Sequence, residues 1–144
     1  MSETKKHQID IKVRGYHLDV YGHVNNARYL EFLEEGRWAF FECNHSLEPF
    51  LQSDIAFVVV NININYRRPA YMNEVLTVET FISKVGSRSG TIKQVVSLSQ
   101  TGAVVADAEV TFVLYDAKQD RAIAIEGDMR QLLEQLLVTT EAAQ

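Results

Sequence analysis

The feature that most constrains this fold is one long amphipathic helix pattern that precedes most of the β-rich sequence. Apolar side chains recur at three- and four-residue spacing from Tyr29 to Phe41, which predicts a helix of about five turns with an aromatic-rich buried face. Asn25 or Asn26 is suited to cap its first turn. Short loops cannot cover a helix of this length, so we expect a sheet to curl around it.

The strands are predicted from two kinds of apolar pattern. Apolar and polar residues alternate over 9–13, as in a strand with one buried face. A continuous apolar run passes into strict alternation over 55–66, which predicts one long strand closed by Pro69, covered on both faces at its start and on one face afterwards. Three further β-rich runs, at 75–85, 91–99 and 103–115, are separated by glycine-containing turns, and a short strand is expected at 122–125.

A second amphipathic helix closes the chain. Asp128 is suited to cap it, and its inward face would consist of Met129, Leu132, Leu133, Leu136 and Leu137. The whole order predicts an α+β chain in which a curved antiparallel sheet wraps one long central helix. We expect residues 1–144 to form a single domain with flexible ends at 1–8 and 139–144. Because one sheet layer leaves edges and an outer face uncovered, we also expect the chain to associate.

Composition excludes several classes of function. The 144 residues suffice for one core but not for a two-domain nucleotide-binding enzyme. A formal net charge of −5 argues against nonspecific nucleic-acid binding. The lone cysteine, Cys43, forms no intrachain disulfide, and the spacing of the histidines suggests no metal site. A polar start without an apolar signal segment, and no apolar run long enough to span a bilayer, predict a cytoplasmic protein without stable membrane insertion.

The densest polar cluster, residues 16–26, lies between the first strand and the long helix. A loop that leads into a helix presents free backbone N–H groups and the positive end of the helix dipole, which suits a developing oxyanion. Asp19 could act there as a nucleophile or as a general base, and Gly22 would let the chain approach a ligand closely. His23 is expected to fix the shape of the loop. The alternative is that Asp19 is an ordinary turn residue that satisfies backbone donors.

The segment from Asp19 to Tyr29, Asp-Val-Tyr-Gly-His-Val-Asn-Asn-Ala-Arg-Tyr, resembles the signature of hotdog-fold acyl-CoA thioesterases of the 4-hydroxybenzoyl-CoA thioesterase type. The neighbouring segments 13–18, 29–35 and 55–69 are similar to the long-chain acyl-CoA thioesterases of the FadM type. The likeness extends from about Ile9 to Leu137. It implies the hotdog fold, hydrolysis of long-chain fatty acyl-CoA without a cofactor, and homodimers or homotetramers that join sheets edge to edge and carry active sites between subunits.

The resemblance also implies roles for single residues. Asp19 is the catalytic carboxylate, which either attacks the thioester carbonyl or activates a water molecule. The backbone N–H of Asn26 polarises the carbonyl oxygen. Several relatives carry His or Tyr at that position, so the resemblance assigns the Asn26 side chain no role.

Binding of coenzyme A requires cations for its phosphate groups. By analogy with relatives that hold these phosphates from the hairpin after the third strand, Lys84 and Arg88 are candidates, and Arg67 and Arg68 form a second basic pair. Each is equally readable as a solvated surface charge. An acyl tunnel would be lined by residues that could also be plain core, namely Tyr29, Leu33, Phe57 and Val59.

Other functions stay open at this stage. The same fold supports hydratases and dehydratases of acyl thioesters, although the His and acidic pair they use is absent from this sequence. A thioesterase for aromatic or short-chain acyl groups, or for acyl carrier protein, would keep the same loop. A non-catalytic acyl-CoA-binding module is the third alternative.

Overall fold

The computed structural model describes residues 5–48 and 52–138. The helices and strands follow the predicted order. They are β1 (Lys6–Lys12), α1 (Arg28–Cys43), β2 (Ile55–Tyr66), β3 (Val75–Val85), β4 (Gly90–Leu98), β5 (Val104–Asp116), β6 (Arg121–Ile123) and α2 (Gly127–Gln135). Strands β2 and β3 have the predicted bounds, and the other bounds differ by at most three residues. The predicted ends at 1–4 and 139–144 lie outside the described residues, whereas Lys6 to Gln8 belong to β1.

The strands form one antiparallel sheet in the order β1-β3-β4-β5-β2, and β6 pairs with the end of β5. The sheet is curved, and α1 packs against its inner face, so the predicted hotdog fold is confirmed. This strand order makes β1 and β2 the two edges of the sheet. The 12-residue β2 is therefore an edge strand that follows the helix in sequence.

The inner face of the sheet is as regular as the sequence pattern predicts. The inward residues of β5 are all buried, namely Ala106, Ala108, Val110, Phe112 and Leu114. Gly36 brings α1 close to this face, because a Cβ atom there would lie 2.8 Å from a methyl carbon of Val78 and 2.9 Å from the Thr80 hydroxyl oxygen. Close contact between helix and sheet therefore depends on the absence of a side chain at this position.

Both predicted helix caps are wrong in detail. Ala27 is the N-cap of α1, and the predicted Asn25 lies two residues before it, where its side-chain oxygen accepts the Ala27 N–H at 2.9 Å. Glu126 is the N-cap of α2, which places Asp128 in the first turn. In both helices a polar residue lies near the start of the amphipathic pattern. The N-cap position itself is set by the point at which the chain leaves the preceding loop.

The predicted coverage of β2 on both faces at its start is also wrong for the single chain. Val58 and Val60 are 38% and 55% exposed. The physical reason is that β2 is an edge strand, and residues 5–48 and 52–138 place no second layer on its outer face. The predicted inward face of α2 is correct, because Met129, Leu133 and Leu136 are buried and the other two leucines pack against the same core.

Candidate active site

The loop between β1 and α1 is a tight hairpin that presents Asp19. Leu18 and Val24 form an isolated β-bridge across it, and the Asp19 N–H donates to the carbonyl oxygen of His23 at 3.0 Å. The turn closes through Gly22, whose φ of +84° strains any residue with a side chain. Local chain geometry therefore accounts for the glycine three residues after the aspartate.

The Asp19 carboxylate is only partly occupied by this turn. One oxygen, Oδ1, accepts the N–H of Tyr21 at 2.9 Å and lies 4.0 Å from Nδ1 of His23, which is too long for a hydrogen bond. Among the described residues, no donor binds the other oxygen. The carboxylate can therefore still accept a water molecule or reach an electrophilic carbon.

A pocket of about 400 Å³ opens beside this carboxylate. It brings together six of the predicted site residues, four from the loop and helix start and two from the segment after β2. Gly22 shapes the loop without lining the pocket. The lining consists of Asp19, His23, Val24, Asn26, Tyr29, Tyr66, Arg67, Arg68 and Pro69.

The turn that leads into α1 supplies the pocket with a backbone donor. The Asn25 carbonyl oxygen accepts the Arg28 N–H at 2.9 Å, and the Asn25 N–H donates to His17 at 2.9 Å. Within the described part of the chain, the N–H of Asn26 donates to no protein acceptor. Asn26 lines the pocket next to the positive end of the helix dipole, so its N–H is a candidate donor for a carbonyl oxygen that gains negative charge.

Two histidines hold the loop from opposite sides. His17 is buried, with its Nδ1 accepting the Arg14 N–H at 2.9 Å and its ring edge-on to Phe32. Burial, and next the charge of Arg28, lower the pKa of His17, which keeps the ring neutral. His23 lies between the rings of two tyrosines at the pocket wall, Tyr21 and Tyr71.

Tyr29 and Tyr66 form the wall opposite the loop. Their rings meet edge to face at a centroid distance of 5.5 Å. Burial, with the neighbouring Tyr66, raises the pKa of Tyr29 to about 12, so its hydroxyl stays protonated near neutral pH. The Tyr66 hydroxyl donates to the carbonyl oxygen of Asn26 at 2.9 Å, which joins the end of β2 to the turn before α1.

The two predicted basic pairs are separated by the fold. Arg67 makes two hydrogen bonds with Asp107, at 2.7 and 3.2 Å, so its charge is largely neutralised. Arg68 is exposed, and its side chain reaches only the carbonyl oxygen of Pro69 at 3.4 Å among the described residues. Lys84 and Arg88 lie at the opposite end of the sheet, beyond reach of the Asp19 pocket within one chain.

Arg88 lines a second, larger cleft of about 790 Å³ near the start of β2. Ile55 and Arg121 line the same cleft, together with carboxylates that include Asp116 and Asp128. Lys84 is exposed and does not line it. The cleft therefore holds two guanidinium groups, Arg88 and Arg121, among three carboxylates.

The predicted tunnel residues have different surroundings. Leu33 is fully buried in the same apolar cluster as Tyr29. Phe57 stacks on Phe41 at 4.9 Å and belongs to the second apolar cluster, while Val59 is exposed at the sheet edge.

Within residues 5–48 and 52–138, no group of three His, Cys, Asp or Glu side chains could hold a metal ion. No helix in these ranges is long and apolar enough to cross a membrane.

Comparison with known proteins identifies the family. Residues 13–133, which include the whole pocket, match the model of the thioesterase-like superfamily. This chain belongs to that superfamily. Among its relatives, the long-chain acyl-CoA thioesterase FadM of Escherichia coli (strain K12) is 55% identical over 130 residues, 90% of this chain and 98% of that protein.

Solved structures of other proteins share the fold of this thioesterase. The crystal structure of YbaW, a probable thioesterase from Escherichia coli, has 54% identity and a TM-score of 0.85, and the match covers 91% of this chain and 98% of that one. A Staphylococcus aureus protein in complex with CoA has a TM-score of 0.77 over 94% of this chain and 86% of that one. At 13% identity, that second match supports the fold alone.

Two residues of this thioesterase were missed by sequence reasoning. Tyr66 is the last residue of β2, in which apolar and polar residues alternate. Its position next to Arg67 is the one feature of the sequence that could have indicated a place in the site. Arg121 lies in the shortest strand and has no motif around it. Both acquire their surroundings from contacts between distant segments, which residue spacing does not encode.

Proposed function

We propose that this thioesterase hydrolyses long-chain fatty acyl-CoA to a free fatty acid and CoA. The observation that carries the proposal is that one pocket holds the Asp19 carboxylate and the unpaired N–H of Asn26 at the start of a helix. The 55% identity to the long-chain acyl-CoA thioesterase FadM supports the substrate class. A carboxylate next to a preorganised donor is suited to attack on a carbonyl group.

The reaction begins with the thioester carbonyl oxygen on the Asn26 N–H. Asp19 then either attacks the carbonyl carbon, forming a mixed anhydride that water hydrolyses, or removes a proton from a water molecule that attacks. In both routes the C–S bond breaks and the CoA thiolate leaves, taking up a proton. The negative charge that develops on the carbonyl oxygen is stabilised by the N–H and the helix dipole.

Other pocket residues would bind and orient the substrate. His23 and Gly22 hold the loop that presents Asp19, and Tyr29 supplies an apolar wall with a protonated hydroxyl. Arg68 offers a positive charge at the pocket wall that no described carboxylate pairs with. Arg67 would contribute less charge, since Asp107 already binds it.

We further propose that two subunits complete the site by pairing their β2 edges. The Asp19 pocket lies at the Tyr66 end of β2 and the Arg88 cleft at the Ile55 end. A 12-residue strand is roughly 40 Å long at about 3.3 Å per residue, so one chain cannot bring the two together. Antiparallel pairing of two β2 edges places the Ile55 end of one subunit beside the Tyr66 end of the other. Arg88, and Lys84 at the same end, would then reach the coenzyme from the second subunit.

The decisive test is release of free CoA from palmitoyl-CoA by the wild type and by Asp19→Asn. We expect the variant to lose roughly 10³-fold in kcat, because the amide neither attacks nor takes a proton efficiently. Asp120→Asn is the matched control, since Asp120 is exposed and its positive φ of 53° is tolerated by asparagine. An unchanged rate in Asp19→Asn would falsify the assigned role.

A substrate series separates the remaining alternatives. We expect kcat/KM to be highest for palmitoyl-CoA when it is compared with acetyl-CoA, benzoyl-CoA and palmitoyl-acyl carrier protein. Hydration of crotonyl-CoA would indicate a hydratase, and tight acyl-CoA binding without turnover a binding module. A cytoplasmic location stays a prediction, to be checked by fractionating cells that express the chain.

A further inference from the structure

Asn26 is held in place less firmly than its neighbours in the turn before α1. Val24 donates its N–H to Ala70 at 2.9 Å, and Asn25 is bound through its N–H, its carbonyl oxygen and its side chain. The N–H of Asn26 faces no protein acceptor among the described residues, and its side chain is exposed. Its own carbonyl oxygen is bound by one group, the Tyr66 hydroxyl at 2.9 Å.

Of the two peptide planes on either side of the Asn26 Cα atom, the second is held partly from outside the turn. The plane that carries the Asn26 N–H is fixed within the turn, where the Asn25 carbonyl oxygen accepts the Arg28 N–H. The following plane is held at its Ala27 N–H by the Asn25 side chain at 2.9 Å, and at its carbonyl oxygen by Tyr66, from a strand 40 residues away. Loss of the Tyr66 bond would leave the second plane held by the Asn25 side chain alone. Because Arg28 follows this plane in the chain, its rotation would displace the Arg28 N–H that holds the first plane and so move the Asn26 N–H.

Tyr66 is itself well anchored for this purpose. Its ring packs edge to face against Tyr29, and the next residue, Arg67, donates its N–H to Val105 at 2.7 Å. The Arg67 side chain is bound to Asp107 by two hydrogen bonds. The end of β2 is thus a rigid support from which one hydroxyl reaches the turn.

We propose that Tyr66 is a positioning residue for the oxyanion donor, acting through the Asn26 carbonyl group to hold the Asn26 N–H against the substrate carbonyl. This inference rests on the proposed function, because the position of the Asn26 N–H matters for catalysis only if the carbonyl oxygen of a substrate gains charge beside it. Tyr66 takes no proton and forms no bond with the substrate in this role. Its effect is on the precision with which the donor is placed, which strongly affects rate.

The kinetic test is Tyr66→Phe, which removes the hydroxyl and keeps the ring contact with Tyr29. We expect kcat for palmitoyl-CoA to fall about tenfold, less than the 10²–10³-fold cost of removing a whole oxyanion donor, with KM changed by less than about twofold. Tyr16→Phe is the matched control, because Tyr16 is 71% exposed and its hydroxyl has no partner among the described residues. A change in KM alone, or a loss above about 10³-fold, overturns the proposal, since the hydroxyl would then contact the substrate directly.

A second measurement does not depend on turnover. Backbone amide NMR of the ligand-free protein should show increased mobility at Asn26 and Ala27 in Tyr66→Phe and no change in Tyr16→Phe. An unaltered Asn26 amide overturns the positioning role even if the enzyme is active. An altered amide in a protein that hydrolyses no thioester supports the hydrogen bond as a restraint and rejects the proposed function instead.

Discussion

At the scale of single residues, the loop depends on a histidine that must stay neutral. His17 is 8% exposed, and its Nδ1 accepts a backbone hydrogen bond from Arg14, which requires an unprotonated nitrogen. Burial and the nearby Arg28 lower its pKa in the folded state below the ordinary value of 6.5. The unfolded chain therefore binds a proton at a higher pH than the folded chain does.

We expect this difference to weaken the fold in mild acid. The stabilising contribution of neutral His17 is complete above pH 6.5 and is lost as the pH falls from 6.5 towards the lowered pKa, at no more than about 1.4 kcal/mol per pH unit. Urea unfolding at pH 7.5 and pH 5.5 measures it. His17→Asn is the comparison, because an amide oxygen can accept the Arg14 N–H without titrating. If the free energy of unfolding falls equally in both proteins between pH 7.5 and pH 5.5, His17 contributes nothing to the pH dependence.

At the scale of elements, the site depends on how closely α1 lies against the sheet. Gly36 faces Val78, Thr80 and Gln94 with no space for a methyl group. Directly beside it, the Gln94 amide donates to the Leu33 carbonyl oxygen at 2.8 Å and to Thr80 at 2.9 Å. A buried hydrogen-bonded contact of this kind fixes the depth of the helix and hence the height of its first turn beside Asp19.

Gly36→Ala should therefore destabilise the protein, although alanine is the better helix former. Overpacking costs typically 1–3 kcal/mol and the gain in helix propensity is up to about 1, so we expect a net loss of roughly 1–2 kcal/mol in the free energy of unfolding. Urea denaturation measures it. Glu35→Ala, at an exposed position of the same helix, should stay within about 0.5 kcal/mol of the wild type. A neutral or stabilising Gly36→Ala would mean that the helix can move outwards freely.

At the scale of the whole molecule, β2 is a long apolar edge that a single chain leaves open. In the part of the chain that the structure describes, no strand lies beside its outer backbone groups, and Val58 and Val60 are exposed. Such an edge pairs readily with another strand. Antiparallel pairing with the β2 edge of a second copy would give the outer backbone N–H and C=O groups of both chains hydrogen-bond partners.

The proposed pairing of β2 edges predicts that the wild type sediments as a dimer and the double variant Val58→Lys/Val60→Lys as a monomer, because positive charges on both edges repel each other. We also expect activity on palmitoyl-CoA to fall, since Arg88 would no longer reach the site from a second subunit. Glu109→Lys raises the net charge by the same two units at an exposed position of the inner strand β5 and should remain dimeric. A lysine double variant that remains dimeric would place the subunit contact elsewhere.

The sequence by itself determined the elements and the loop that carries the chemistry. Helix α1 and the long strands follow from periodicity, which depends on local spacing and a buried face. The motif from Asp19 to Asn26 is equally local, since Gly22 must turn the chain and the helix must begin just after it. The cap residues were wrong by one or two positions because the point where a helix begins depends on the direction of the preceding loop.

Only the tertiary structure decided which distant side chains belong to the pocket. Four similar cations in the sequence became different groups: Arg67 is neutralised by Asp107, Arg68 borders the pocket, and Lys84 and Arg88 lie at the other end of the sheet. Tyr66 reaches Asn26 across 40 residues. These outcomes depend on the strand order, which places the end of β2 beside the start of α1, and residue spacing along the chain carries no record of that order.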